Sequence, residues 1–211
     1  MIKREEIKIE LYGKTSEHIF SSNVTAHKLA VLFPGAGSNT RAPFFYYSRY
    51  YFLRAGYDVL ALSYRNIVDS DDSSDEQIRK LTHSVHKAIK SVKELKKYKE
   101  YVFEARSIGN LIADQTRTNY KYEDVISIYA SPTSQALKRI EKYPGLVITS
   151  TDDETLKEGD LETIKSFSKH EVIVFEGGDH RIECFDTLET IENCKQAIAK
   201  TMEYIESKQK K

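Results

Sequence analysis

Apolar residues along the chain follow two different periods. From Glu6 to Tyr12 they alternate with charge, Ile7, Ile9 and Leu11 against Lys8 and Glu10, which is the pattern of a half-buried strand at a sheet edge. His18–Phe20 is placed to pair with it. Runs that are apolar almost throughout then recur at Leu29–Phe33, Val59–Leu62, Tyr101–Phe103, Val125–Tyr129, Leu146–Thr149 and Val172–Phe175. Such runs suit strands covered on both faces. Between them the spacing changes to three and four. Ile78, Leu81, Val85, Ile89, Val92 and Leu95 mark an amphipathic helix, opened by Ser73 and Glu76 in the spacing of a capping box. The aromatic segment Phe44–Leu53, closed by Gly56, predicts a helix, as does Leu156–Phe167. Phe185, Leu188, Ile191, Ile198, Met202 and Ile205 predict a long final one. An antiparallel start followed by six strand–helix alternations predicts an α/β fold: a mostly parallel sheet with helices on both faces.

Composition narrows the function. The 211 residues fit one domain over 1–211, large enough for a substantial core. Lys and Arg together number 32, as do Asp and Glu, so the net charge is zero. A nucleic-acid partner would call for a basic excess, and an anionic membrane surface for a basic patch. No run of 18 apolar residues is present, and the start Met1–Lys8 lacks the apolar core of a signal peptide. These features lead to the expectation of a cytoplasmic protein with neither a nucleic-acid nor a membrane partner. Cys184 and Cys194 fall ten apart in the predicted final helix. That separation is about 15 Å along the axis, beyond disulfide reach, so both are read as free, partly buried thiols. His18, His27, His83, His86 and His170 are read as solvated. His83 and His86 share a helix but have no carboxylate as a third ligand, so no metal site is expected.

In a parallel sheet of this kind the active site lies beyond the carboxyl ends of the strands. The strand Tyr101–Phe103 passes into a helix across only Ala105-Arg106-Ser107-Ile108-Gly109. A corner that abrupt strains its central residue and needs small neighbours, the geometry of a nucleophile elbow, with Ala105 where Gly is usual. A serine capping the helix is the plainer alternative. After Phe33 comes Pro34-Gly35-Ala36-Gly37. If Ser107 attacks a carbonyl, the N–H groups of Ala36 and Ile108 are the natural pair of oxyanion donors. A dinucleotide loop is the rival, but the glycine pattern fails at Thr40 and Pro43 interrupts the receiving helix, so no cofactor is expected. After Thr149 come Asp152 and Asp153, either of which could orient a histidine or cap the next helix. After Phe175, Gly177 and Gly178 permit a tight loop that carries His180 back over the sheet.

The order Ser107, then Asp152 or Asp153, then His180, each after a different strand, resembles the α/β-hydrolase superfamily over nearly the whole chain, from about Ile7 to Ile205. The resemblance extends to the glycine-rich loop after the third strand and to the turn at Gly56 before a buried strand. It implies an acid in a G-x-x-D pattern after the seventh strand. Ser150-Thr-Asp-Asp153 matches that pattern with Ser for Gly, which favours Asp153. The implied catalytic residues are thus Ser107, Asp153 and His180, with Ala36 and Ile108 at the oxyanion. The implied activity is hydrolysis of a carboxylic ester or thioester through an acyl-enzyme, on a small-molecule or carrier-bound acyl substrate, with no cofactor and no metal. Only 15 residues, Ser131–Gly145, stand where many members insert a lid, which is too few for a cap domain. The implied relatives are small lidless esterases, thioesterases and dienelactone-hydrolase-like proteins, with an open site suited to short acyl esters or a carrier-bound acyl group. Arg65 and Arg106 are placed to meet an anionic substrate group, and the aromatic run from Phe44 to wall an acyl pocket. Ala105 and Ser150 depart from the usual motif, so the alternative is a binding protein that keeps the scaffold without catalysis.

Overall fold

The computed structural model describes residues 2–23, 25–36, 40–67 and 72–209. Two antiparallel strands open the chain, β1 (Ile2–Leu11) and β2 (Lys14–Asn23). Six strand–helix units follow: β3 (Lys28–Phe33) and α1 (Pro43–Arg54), β4 (Tyr57–Ala61) and α2 (Ser74–Leu95), β5 (Glu100–Arg106) and α3 (Ile108–Asn119). Then come β6 (Val125–Ala130) with the short α4 (Leu137–Ile140), β7 (Gly145–Ser150) with α5 (Asp160–Lys165), and β8 (Glu171–Phe175) with α6 (Thr187–Gln209). The eight strands form one sheet in the order β1-β2-β4-β3-β5-β6-β7-β8. Only β1–β2 and β2–β4 are antiparallel. β1 stands at the edge, where its alternating pattern leaves one face wet.

The parallel strands are buried on both faces, as their continuous apolar runs require. In β3, Leu29, Val31 and Phe33 join the core under α2 and α3, while Ala30 and Leu32 join the core under α1 and α6. In β5, Phe103 and Ala105 face the first core and Val102 the second. The first turn of α2 realises half of the capping box: Ser73 Oγ accepts from Glu76 N–H, but the Glu76 carboxylate is taken by Arg79. Among the described residues, no helix is long and apolar enough to cross a membrane.

Four expectations need correction. The helix expected over Leu156–Phe167 forms only at Asp160–Lys165, because Asp153 takes up Thr155 N–H and the chain then turns through Gly159 at φ +83°. Phe185 and Cys184 precede the final helix rather than sit in it. Both cysteines are free and half-buried, as expected, but the distance argument along one helix axis does not hold, since Cys184 lies in a loop with Asn193 donating to its Sγ. His18 is not solvated: it is buried, accepts Ser63 N–H at Nδ1 and pairs with Ser16 at Nε2. Burial lowers its pKa to about 4. α6 itself is the long final helix expected. It buries Asn193, Ala197, Thr201, Tyr204 and Ile205, leaving Leu188 and Ile191 exposed.

Candidate active site

β5 ends and α3 begins with one residue between them, Ser107, at φ 55° and ψ −127°. That backbone is unfavourable for a residue with a Cβ and is held by its surroundings. Ser107 N–H donates to Ala130 O at 3.1 Å, and Ser107 O accepts from both the N–H and the Nδ2 of Asn110, each at 3.0 Å. The same Nδ2 reaches Ala130 O at 3.0 Å. The helix also sits hard against the end of β3. A Cβ at Gly109 would lie 2.6 Å from Pro34 O and overlap Phe33 O, so only glycine lets α3 start there. Ala105, where the motif usually has glycine, is 1 % exposed and packs in the core beneath α3. A methyl group therefore fits at this position.

Three loops meet above Ser107. The loop after β3 brings Gly35 so close that a Cβ there would be 3.1 Å from Ser107 Cβ. Ala36 follows at the surface and lines the same cleft; Gly37 lies outside the described residues. Ile108 is the first residue of α3, so its N–H belongs to the turn whose donors have no intrahelical partner. The loops after β7 and β8 are joined to each other. Asp152 N–H donates to Gly178 O at 3.0 Å, Gly177 N–H to Thr151 Oγ1 at 2.8 Å, and Gly178 is seated against Ser150. Gly177 takes φ +66° to make the bend.

This bend brings His180 over the sheet. Its Nε2 lies 2.9 Å from Ser107 Oγ, and its Nδ1 lies 2.9 Å from each carboxylate oxygen of Asp153. Asp153 is buried, whereas Asp152 is exposed and bonded to its neighbour Thr151. Burial works against charge on Asp153, but the bonds from His180 and from the hydroxyl and N–H of Thr155 outweigh it. The carboxyl is therefore held below its ordinary value. Thr155 Oγ1 also lies 3.1 Å from His180 Nδ1, so it closes a small ring with acid and imidazole. Arg106 donates from Nη2 to His180 O at 3.1 Å, tying the histidine loop to the end of β5.

Sequence reasoning missed Thr155 and Asn110. A signal exists for Asn110, a polar residue at a buried position of an otherwise apolar helix face. Thr155 follows Asp153 by two residues, and nothing in its spacing marks it. Of the two arginines singled out, Arg106 lines the cleft beside Ser107, while Arg65 is exposed on the loop after β4, away from it. Ser107 and His180 open into a cleft of about 1440 Å³ between α1 and α6. Phe44, Tyr46 and Tyr47 of the aromatic run line one wall, while Phe45 and Phe52 belong to the core. Among the described residues, no three His, Cys, Asp or Glu side chains cluster as ligands for a metal ion.

No protein-family model matches the chain, and no curated protein matches it in sequence. Its fold, by contrast, is shared with solved structures along almost the whole length. An esterase from Pyrococcus furiosus, Pf2001, superposes with a TM-score of 0.71 at 15% identity, covering 98% of this chain and 93% of that one. The dienelactone hydrolase from Anabaena variabilis gives 0.69 at 13% identity, covering 96% and 98%. A predicted CIB-like hydrolase from Thermoplasma acidophilum gives 0.71 at 15% identity, covering 97% and 99%. The mostly parallel eight-stranded sheet flanked by helices, with no cap domain among the described residues, is the α/β-hydrolase fold.

Proposed function

We propose that this protein is a serine hydrolase that cleaves a carboxylic ester or thioester through an acyl-enzyme. The observation that carries the reading is the unbroken line from a strained Ser107 through His180 to a buried Asp153, with 2.9 Å at each junction. His180 Nε2 takes the proton of Ser107 as the oxygen attacks the acyl carbon. Asp153 fixes the tautomer that leaves Nε2 free to accept and balances the charge of the imidazolium. The N–H groups of Ala36 and Ile108 receive the oxyanion. The proton then passes from His180 to the departing alcohol or thiol as its bond to the acyl carbon breaks. Water enters on the same face, gives its proton to His180 and attacks the acyl-enzyme. Protonated His180 returns the proton to Ser107 Oγ as the acid leaves. The substrate is a small-molecule or carrier-bound acyl compound. His180 carries each proton that moves in this sequence.

Covalent labelling with a fluorophosphonate, followed by mass mapping, tests the reading. The reagent is expected to modify Ser107, and Ser107→Ala and His180→Ala to abolish labelling. Turnover of p-nitrophenyl acetate should fall by roughly a thousandfold or more in either variant. Absence of labelling, with turnover no higher than in Ser107→Ala, would leave a binding protein on a hydrolase scaffold.

A further inference from the structure

Only part of the apolar stripe of α6 faces the core: Ile205 is buried and Ile198 packs against the core, but Leu188 and Ile191 are exposed and Met202 is half-buried. Leu188, Ile191, Ile198 and Met202 lie along one side of the helix, while the residues it buries are Asn193, Ala197, Thr201, Tyr204 and Ile205. At about 100° per residue the two sets are roughly a third of a turn apart. The helix thus buries Asn193 and Thr201 and leaves Leu188 75% and Ile191 59% exposed. Leu188 and Ile191 therefore add little to the fold, and the exposed side of the stripe is free to serve something else.

What it faces is the cleft. Ile191, Ile198, Ala199 and Met202 form one wall and Phe44 and Tyr47 the other, in the same space into which Ser107 opens. From Ile191 to Met202 the wall runs about 16 Å at 1.5 Å per residue. The volume, about 1440 Å³, exceeds the ~300–1,000 Å³ usual for a small-ligand site. Arg41 and Lys195 also line the cleft, and on its flank toward the loops of Asp153 and His180 the lining is Glu154, Arg181 and Glu183. His180 must protonate the leaving group, so the leaving group belongs on its polar flank and the acyl chain in the apolar one.

We infer that the groove between α1 and α6 holds an unbranched acyl chain of about ten to twelve carbons, with its carboxyl carbon at Ser107 and its tail running toward Met202. The length follows from the wall, and the occupant from continuity of the groove with the serine. This inference rests on the hydrolase reading for the placement of the carboxyl carbon, but the groove itself can be tested without catalysis. It narrows the expectation of an open site for short acyl esters or a carrier-bound acyl group to an acyl chain of that length.

Two measurements on the full chain decide it. The first is kcat/KM for p-nitrophenyl acetate, hexanoate and dodecanoate below their micelle concentrations. Full burial of one methylene is worth roughly fourfold, and a groove open along one side should realise at least about twofold for every two carbons. Ala199→Trp, which fills the groove from a surface position on α6, should lower the dodecanoate-to-hexanoate ratio at least fivefold. The second is calorimetric binding of dodecanoate and hexanoate to Ser107→Ala. Dodecanoate is expected to bind at least tenfold more tightly, and the added Ala199→Trp to remove that difference. Chain-length-dependent binding without ester turnover would uphold the groove and sink the hydrolase reading. Turnover with a flat or falling chain-length profile would uphold the hydrolase and overturn the groove. Neither turnover nor dodecanoate binding would overturn both.

Discussion

Asp153 and Glu104 are both buried carboxyls in strand–loop units of the same sheet, and they behave in opposite ways. Asp153 sits three residues beyond β7 and receives His180 Nδ1, Thr155 Oγ1 and Thr155 N–H. Glu104 sits inside β5, fully buried, and among the described residues neither of its oxygens has a hydrogen-bond partner; nor has the hydroxyl of Ser48, its polar neighbour on α1. Burial raises the pKa of Glu104 to about 8, so it is a neutral acid at pH 7. Burial is common to both groups, and the number of donors decides the sign. Those donors are available beyond the strand ends, where backbone N–H groups are not committed to the sheet ladder. In the middle of β5, between β3 and β6, they are all committed. A parallel sheet therefore favours a charged acid at its carboxyl edge and penalises one in its interior.

The largest effect expected to break this comparison is Asp153→Asn. It keeps the shape but removes the charge and leaves the wrong His180 tautomer within reach. On the hydrolase reading, kcat for an ester should fall by about ten-thousandfold, and a rate within tenfold of the parent would remove Asp153 from the mechanism. Glu104→Gln should act on stability. The folded pKa of Glu104 is raised from an ordinary 4.5, so the protonated acid supports the fold fully below 4.5, and that support is lost as pH rises through about 8. Gln does not titrate, so denaturant melts should show little difference near pH 4.5 and a gain on the order of 3 kcal/mol for the variant at pH 7. A constant difference across that window would mean that Glu104 is not titrating in the core. The pH slope from Asp153 has the opposite sign. Its folded pKa is depressed, so its contribution is present above the ordinary carboxylate value and fades as pH falls through the folded one. The acid limb of the stability curve should flatten in Asp153→Asn. The smallest effect expected is from Thr155→Val, which takes one donor from Asp153 and moves it a step toward the state of Glu104. It should cost about 1 kcal/mol of stability and reduce turnover severalfold, and the pKa of Asp153, followed by NMR titration, should rise.

Much of this molecule was legible in the chain as written. The continuous apolar runs located the parallel strands, and the alternating first strand was placed at the edge it occupies. Both follow from local rules, since a strand buried on two faces is mostly apolar and one buried on a single face alternates. The positive-φ bend at Gly177 is local too, because glycine takes that backbone without cost, whereas Gly109 answers to the distant Phe33 and Pro34. The same rules placed Ser107, the pair Asp152 and Asp153, and His180 after three strands.

What the tertiary structure decided is which neighbours those residues meet. Asp152 and Asp153 are adjacent and chemically alike, and only the turn held by Thr155 and Gly178 buries one and exposes the other. His18 looked like a surface residue because the N–H that its Nδ1 accepts, that of Ser63, lies far away along the chain. Glu104 continues a strand whose alternation turns it inward, and nothing adjacent in sequence shows that no donor awaits it there. The stripe on α6 has the period of a core-facing helix, yet the helix docks through Ala197, Thr201, Tyr204 and Ile205, with Ile191, Ile198 and Met202 toward the cleft. Periodicity measures how a helix is amphipathic; its rotation is chosen by the packing of the whole, because that choice depends on surfaces the helix does not carry.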